Sequence, residues 1–409
     1  MKCRSCGSEQ IEKFLSLGEQ PLANNFLREK DFPNEKRYPL TLVFCKNCSL
    51  VQLSEDSFVS RETIFTTYYY ASSVAVGLRE HFEKLASDLT ERYRLQGGDK
   101  LVVDIGSNDG VLLKPLKELG VRAIGVEPAL NLAKIANDAG LYTIPEFFTE
   151  EVAKEIAGQH GRADVVVSAN TFAHLGDVHG FIEGVKILLK DDGVFVIEVQ
   201  YMSDMIRDLT FDNIYHEHVF YYTIASLRRL FKIHGMGIFR AERISTHGGS
   251  IRVYVSRDNR EIERSVVDLL NEEKAARLSN PSIYKAFARM VLGRLGEISN
   301  LILELNAQHK TIAGYGAPAK LSTLLNSIKI KKGLSFYIQY IVEDNPLKQG
   351  LYTPGTHIPI FGPKMLEKEM PDYLIIFAWN YANDIMKKCQ KYKDMGTKFI
   401  IPMPKLEVV

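Results

Sequence analysis

A chain of 409 residues, 45% hydrophobic and 25% charged, carries enough apolar material for two or three packed domains, which excludes a disordered or fibrous chain. Lys and Arg number 51 against 50 Asp and Glu, and a formal charge of +1 argues against a general electrostatic grip on nucleic acid. No run of about 18 apolar residues occurs, and Met1-Lys2-Cys3 opens on a CxxC instead of a basic and apolar leader, so a cytoplasmic protein without membrane attachment is expected.

Residues 1–62 are expected to form a small metal-stapled module. Cys3-x-x-Cys6 and Cys45-x-x-Cys48 can each make a knuckle with two thiolates aimed at one ion, and two knuckles complete a tetrahedral four-sulfur shell. Such a shell is full and leaves no position for water, so zinc there is structural. Surface disulfides and a redox CxxC are the competing readings, and a reducing compartment disfavours the first. Cys389, alone in a Lys-rich helix, reads as structural.

Residues 63–257 alternate helices and buried strands. A helical stretch near His81 to Tyr93 precedes Leu101–Ile105, and further strands are expected at Ala123–Val126, Ala163–Val167 and Val194–Glu198, giving a parallel sheet wound on both faces. The first strand runs into Asp104-Ile105-Gly106-Ser107-Asn108-Asp109-Gly110 and a helix over Val111 to Gly120. Small residues in that turn let the backbone approach a ligand, and Glu127, ending the next strand, can accept hydrogen bonds from both ribose hydroxyls of an adenosine. A methyl donor has no pyrophosphate, so the turn need not be a strict GxGxxG; a plain strand-to-helix turn is the alternative. The expected cofactor contacts are Asp104, Gly106, Asn108, Asp109, Gly110, Glu127 and Asn170.

Tyr215-His216-Glu217-His218 packs four proton-transfer groups into four residues. Alternate side chains point in different directions, so two or three of the four can share one pocket. The HEH spacing does not fit the i, i+4 pattern of a helical metal site. His174 lies just past the carboxyl end of the strand Ala163–Val167, where open α/β sheets bind ligands, although a lone histidine can equally be structural.

Residues 258–409 read as a helical connector over 260–308, interrupted at Asn280-Pro281, and then a second α/β unit with strands at Thr311–Gly314, Tyr340–Val342, Leu374–Phe377 and Phe399–Ile401. Gly314-x-Gly316 turns the chain, Pro318 suits a first helical position, and the helix amino terminus with Lys320 is expected to face outward toward a diphosphate, or to be an ordinary βα turn with a solvated lysine.

The two CxxC pairs, Asp104–Gly110 and Tyr215–His218, in that order, resemble the sugar C-methyltransferases of deoxysugar biosynthesis. So do Tyr68–Ser73, His247–Arg252 and Gly314–Lys320, and the likeness covers essentially all of the chain. It implies an N-terminal zinc-binding module, a central Rossmann-like domain of the class I S-adenosylmethionine methyltransferases and a C-terminal Rossmann-like domain. The implied reaction is methylation of a thymidine-diphosphate-linked 4-keto-deoxysugar, at carbon 3, with His218 as base, Tyr215 and Glu217 beside it, and His174 and Tyr69 as further active-site groups. Tyr69, Ser72, His247, Arg252 and Lys320 are then expected at the substrate. S-adenosylmethionine and structural Zn2+ are the expected cofactors, with a small-molecule nucleotide sugar as partner, no nucleic acid, and a monomer or small homo-oligomer. The same fold acting on another small acceptor, and a zinc-ribbon nucleic-acid-binding methyltransferase, are the alternatives.

Overall fold

The computed structural model describes residues 1–64, 72–74, 76–258 and 260–409. Three sheets organise them. In the first, β1 (Ile11–Pro21), β2 (Arg37–Cys45) and β3 (Val51–Leu53) pair antiparallel. The fourth strand of this sheet comes from far along the chain: Val51 and Gln52 pair with Tyr221 and Phe220, and the Leu53 amide donates to the Val219 carbonyl at 2.9 Å. The amino-terminal sheet therefore ends on the segment immediately after Tyr215–His218.

The central sheet contains β4 (Leu101–Ile105), β5 (Arg122–Val126), β6 (Thr143–Ile144), β7 (Ala163–Ala169) and β8 (Leu189–Gln200), all parallel. After β9 (Phe220–Tyr221), which belongs to the first sheet, β10 (Gly237–Ile244) and β11 (Ser250–Ser256) complete the central one in the order β10-β11-β8-β7-β4-β5-β6. β11 runs antiparallel to both its neighbours. Every residue of β4 is buried, which is why its sequence is a continuous apolar run around one aspartate and not an alternating one. Strand order reverses between β4 and β7, so a crevice opens at their carboxyl ends.

The third sheet repeats this plan. β12 (Ile312–Tyr315), β13 (Ile338–Val342), β14 (Ile360–Phe361), β15 (Tyr373–Ile376) and β16 (Lys398–Ile401) are parallel, β17 (Glu407–Val408) is antiparallel, and the order is β14-β13-β12-β15-β16-β17. The two helices before it take different partners. Arg264–Ala275 packs Val266 and Leu269 into the central core, while its Glu273 accepts from the Ile224 and Ala225 amides and the Tyr201 hydroxyl. Pro281–Ala307 starts at the expected break, with the Asn280 side chain accepting from the Ser282 amide at 2.9 Å and Pro281 in the first turn. It joins the amino-terminal sheet to the third one, Tyr284 stacking 4.5 Å from Phe44. Cys389 is buried in the core of the third sheet. Among the described residues, no helix is long and apolar enough to cross a membrane.

Candidate functional site

The four cysteines of the CxxC pairs converge, their sulfurs all within 4.8 Å of one another, with Cys3 3.5 Å from Cys48 and Cys6 3.6 Å from Cys45. All are free thiols. Burial pushes the Cys45 thiol up to about 11, and a central dication would favour the thiolate that ligation requires. Four sulfurs and no carboxylate or histidine make a closed tetrahedral donor set that suits zinc.

A cleft of about 280 Å3 lies where the three sheets meet. Asn24 and Arg61 come from the amino-terminal module, Asp104 to Asn108, Glu127, Asn170 and His174 from the central sheet, and Lys320, Asn380 and Tyr381 from the third. The turn after β4 is built as its composition demands. Gly106 sits at φ +79°, and a Cβ there would lie 2.0 Å from Thr171 Oγ1, so the backbone itself lines the cleft. Asn108, which stands where a middle glycine is usual, adopts φ +52°, a left-handed conformation that asparagine tolerates. Its side chain is used: Oδ1 accepts from the Ser72 amide at 2.9 Å, and Asp109 accepts from the Ser73 hydroxyl at 2.5 Å. Ser72 is thereby docked on the turn and lines the cleft. Gly110 and Asp109 support the turn without lining the cleft.

Glu127 Oε2 accepts from the Asn108 amide at 2.9 Å and Oε1 from the Ala129 amide at 2.8 Å, which leaves lone pairs for further donors. Asp104, 3% exposed, is pushed up to about 8 by burial and by the nearby Glu127 and Glu198. Two inward carboxyls of this kind favour a cationic, hydroxyl-bearing ligand.

Tyr215 and His218 line the cleft; His216 and Glu217 turn away from it. His216 Nε2 donates to the Pro39 carbonyl at 3.1 Å, and Glu217 accepts from the Asn24 amide nitrogen at 2.7 Å. Both thus lock the segment to the amino-terminal module, and neither bonds to His218. Instead His218 Nδ1–H donates to the Asn213 carbonyl at 2.8 Å, so Nε2 is the unprotonated nitrogen of the neutral ring. Burial and the adjacent His174 hold His218 well below the usual imidazole range. Its ring lies 4.0 Å from that of Tyr215 and 5.0 Å from that of His174. Burial lowers His174 and His247 to about 4 as well, and His247, at φ +55°, lines the same wall.

Two expected substrate residues are placed differently. Arg252 is not at the cleft: it lies on β11 opposite Glu198 of β8 and binds that carboxylate at 2.6 Å, while His81 donates to the other oxygen at 2.7 Å. A fully buried carboxylate requires such partners, and Arg252 supplies one. Lys320, expected to face outward, is 8% exposed and lines the cleft beside the histidines. Its ammonium donates to Asn380 Oδ1 at 2.9 Å and lies 3.6 Å over the Trp379 ring, and burial lowers it to about 8. Pro318 caps its helix from outside instead of occupying the first turn. Glu343 accepts from the Ala317 amide at 2.6 Å, closing the turn after β12. Tyr69 lies outside the described residues. Asn24, Arg61, Asn213 and the Trp379–Tyr381 turn carry no motif, and no signal in the sequence marks them.

Family models match in three consecutive segments: "Putative zinc binding domain" over residues 3–65, "Methyltransferase domain" over 78–238 and "C-methyltransferase C-terminal domain" over 245–404. C-methyltransferase NovU of Streptomyces niveus is 37% identical across 100% of this chain and 96% of its own. A ubiquinone biosynthesis O-methyltransferase of Methylobacterium sp. (strain 4-46) is 31% identical over 23% of this chain and 38% of its own. Among solved structures, the magnesium protoporphyrin IX methyltransferase ChlM of Synechocystis PCC 6803 covers 45% of this chain and 81% of its own, with 16% identity and a TM-score of 0.34. Full-length identity to a C-methyltransferase, with a terminal domain model specific to such enzymes, settles the assignment: the chain belongs to the C-methyltransferase family, with S-adenosylmethionine as its cofactor and zinc in its four-cysteine cluster.

Proposed function

We propose that the acceptor is a thymidine-diphosphate-linked 4-keto-deoxysugar, methylated at carbon 3, and that His218 is the base. The observation that carries this reading is a neutral histidine with its Nδ1–H pinned by Asn213, set in the same cleft as the cofactor turn. Carbon attached to hydrogen is a poor nucleophile, and a neighbouring ketone makes the hydrogen removable. His218 Nε2 takes that proton; the C–H electron pair becomes the C=C of an enolate and negative charge develops on oxygen. His174 faces this region, and with Tyr69 it is assigned to the oxygen, a role in which losing one donor costs ~10²–10³ in rate. S-adenosylmethionine, when bound, would supply an electrophilic methyl group to the enolate carbon, its C–S bond breaking to leave S-adenosylhomocysteine. Asp104, Glu127, Asn170 and the Gly106–Asn108 backbone are assigned to holding the donor, and Ser72, His247 and Lys320 to the sugar nucleotide, with the Lys320 ammonium facing its diphosphate.

Mass spectrometry after incubation with labelled methyl donor and a panel of nucleotide-linked 4-keto and 4-hydroxy sugars tests the acceptor. Label is expected in thymidine-linked 4-keto sugars and not in their 4-hydroxy counterparts. Transfer to phenols or amines, with none to any keto sugar, would move the enzyme to another small acceptor.

Asp104 gives a pH signature independent of turnover. Its folded value of about 8 lies above the ordinary aspartate value, so unliganded stability is present at low pH and is lost as pH rises through about 8. A cationic donor favours the carboxylate. Binding at pH 7 should therefore release a proton, and affinity should strengthen between pH 6 and 8. Calorimetry in two buffers of different ionisation enthalpy reads the release directly, and Asp104→Asn should abolish it. Equal heats in both buffers for the wild type would remove Asp104 from the donor site.

A further inference from the structure

The segment 212–214, which carries the carbonyl that orients His218, is held from the third sheet's domain. The Trp379 indole Nε1–H donates to Asp212 Oδ2 at 2.6 Å, and the Thr323 hydroxyl donates to the Ile214 carbonyl at 2.6 Å. Between these two contacts lies Asn213, whose carbonyl accepts from His218 Nδ1. Asp212, Asn213 and Ile214 are all buried, and so is Thr323. The central domain holds the same segment by backbone and weaker side-chain contacts: the Ile214 amide donates to the Phe211 carbonyl at 2.9 Å, Gln200 donates to Asn213 Oδ1 at 3.3 Å, and the Asn213 side-chain nitrogen donates to the Thr210 carbonyl at 3.3 Å and the His247 carbonyl at 3.4 Å. The shortest side-chain hydrogen bonds flanking Asn213 among the described residues are thus those that cross between domains.

We propose that Thr323 and Trp379 are positioning residues for His218: the carboxy-terminal domain fixes the imidazole tautomer of a base that lies in the central one. A carbonyl with a rigid direction selects Nδ1–H and points Nε2 into the cleft, whereas a carbonyl free to rotate no longer distinguishes the two neutral tautomers. Thr323 does not line the cleft, and Trp379 meets it through Lys320, so neither touches the reacting atoms. This rests on the reading of His218 as the base, and the experiment separates the two.

Thr323→Val keeps the shape of the side chain and removes its donor; Trp379→Phe keeps a ring under Lys320 and removes the indole N–H. Nitrogen-15 spectra of histidine-labelled protein, with the His218 signals assigned through His218→Gln, report which ring nitrogen carries the proton without any ligand bound. In both variants the His218 signals should shift from a single tautomer toward a mixture. Turnover on the thymidine diphosphate 4-keto sugar used by the wild type should fall ~10-fold or more, while KM for both substrates stays within ~3-fold, since only the geometry of the transition state is lost. Thr323→Ser, which restores the hydroxyl, should recover both the spectrum and the turnover. An unchanged His218 spectrum in both variants overturns the proposal, whatever the turnover. A shifted spectrum with undiminished turnover upholds the positioning and instead removes His218 as the base.

Discussion

A Cys45→Ser/Cys48→Ser protein is expected to lose its zinc and, with it, most of its methyl transfer, although none of the four cysteines lines the cleft. Zinc in a four-thiolate shell contributes ~10–16 kcal/mol of apparent binding energy, as large as the ~5–15 kcal/mol net stability of a whole domain, so the amino-terminal sheet should not stay ordered without it. The loss reaches the histidines through named contacts. β3 pairs with β9, the strand that follows His218, and the Leu53 amide binds the Val219 carbonyl. His216 is fixed by Pro39 and Glu217 by Asn24. Three tethers of one short segment therefore originate in the zinc module. Metal analysis should give one zinc per wild-type chain and none in the variant, with accelerated amide exchange at Leu53 and at Tyr221, which pairs with Val51. A zinc-free protein with wild-type turnover and wild-type protection at these amides would reduce the module to an appendage.

The same contacts explain what the sequence carried and what it withheld. The buried parallel strands are legible because each is a short, largely apolar run, Leu101–Ile105 or Leu374–Phe377. The metal cluster is legible because its ligand spacing is local. Tyr215–His218 announces chemistry but not direction: one side chain in two faces the cleft, and the inward pair was fixed only by where Pro39, Asn24 and Asn213 lie in space. Arg252 shows the limit most plainly. Its resemblance to a substrate-binding position is a property of a short stretch, whereas its pairing with Glu198 depends on the register of β11 against β8. β10 reads Gly-Ile-Phe-Arg-Ala-Glu-Arg-Ile, in which charge interrupts the apolar pattern, and β9 is two residues long. Neither offers a periodicity to detect. Lys320 was visible as a cation after a glycine turn, but its inward course needs Trp379 and Asn380, sixty residues away in the chain.

His218→Ala is expected to bind donor and acceptor normally and to lose turnover by ~10²–10⁴, the usual contribution of a positioned general base. Proton abstraction can be separated from methyl transfer, because the acceptor's acidic hydrogen should exchange with deuterated solvent while S-adenosylhomocysteine occupies the donor site. Wild-type enzyme should show this exchange, and His218→Ala should show it far more slowly. The neighbours set the pH range. His218 is held well below its ordinary value by burial, with His174 and His247 on the same wall, so the base is already deprotonated at neutral pH and turnover should not fall until the medium is more acidic than the usual imidazole range. His174→Ala should slow exchange by a smaller factor, since it removes one donor to the enolate oxygen and leaves the base in place. His216→Ala should leave exchange intact except through looser docking on Pro39, because its ring faces the amino-terminal module. Near wild-type exchange in His218→Ala, with fast exchange lost in His174→Ala, would transfer the base to His174 and leave His218 as the partner that shapes its pocket.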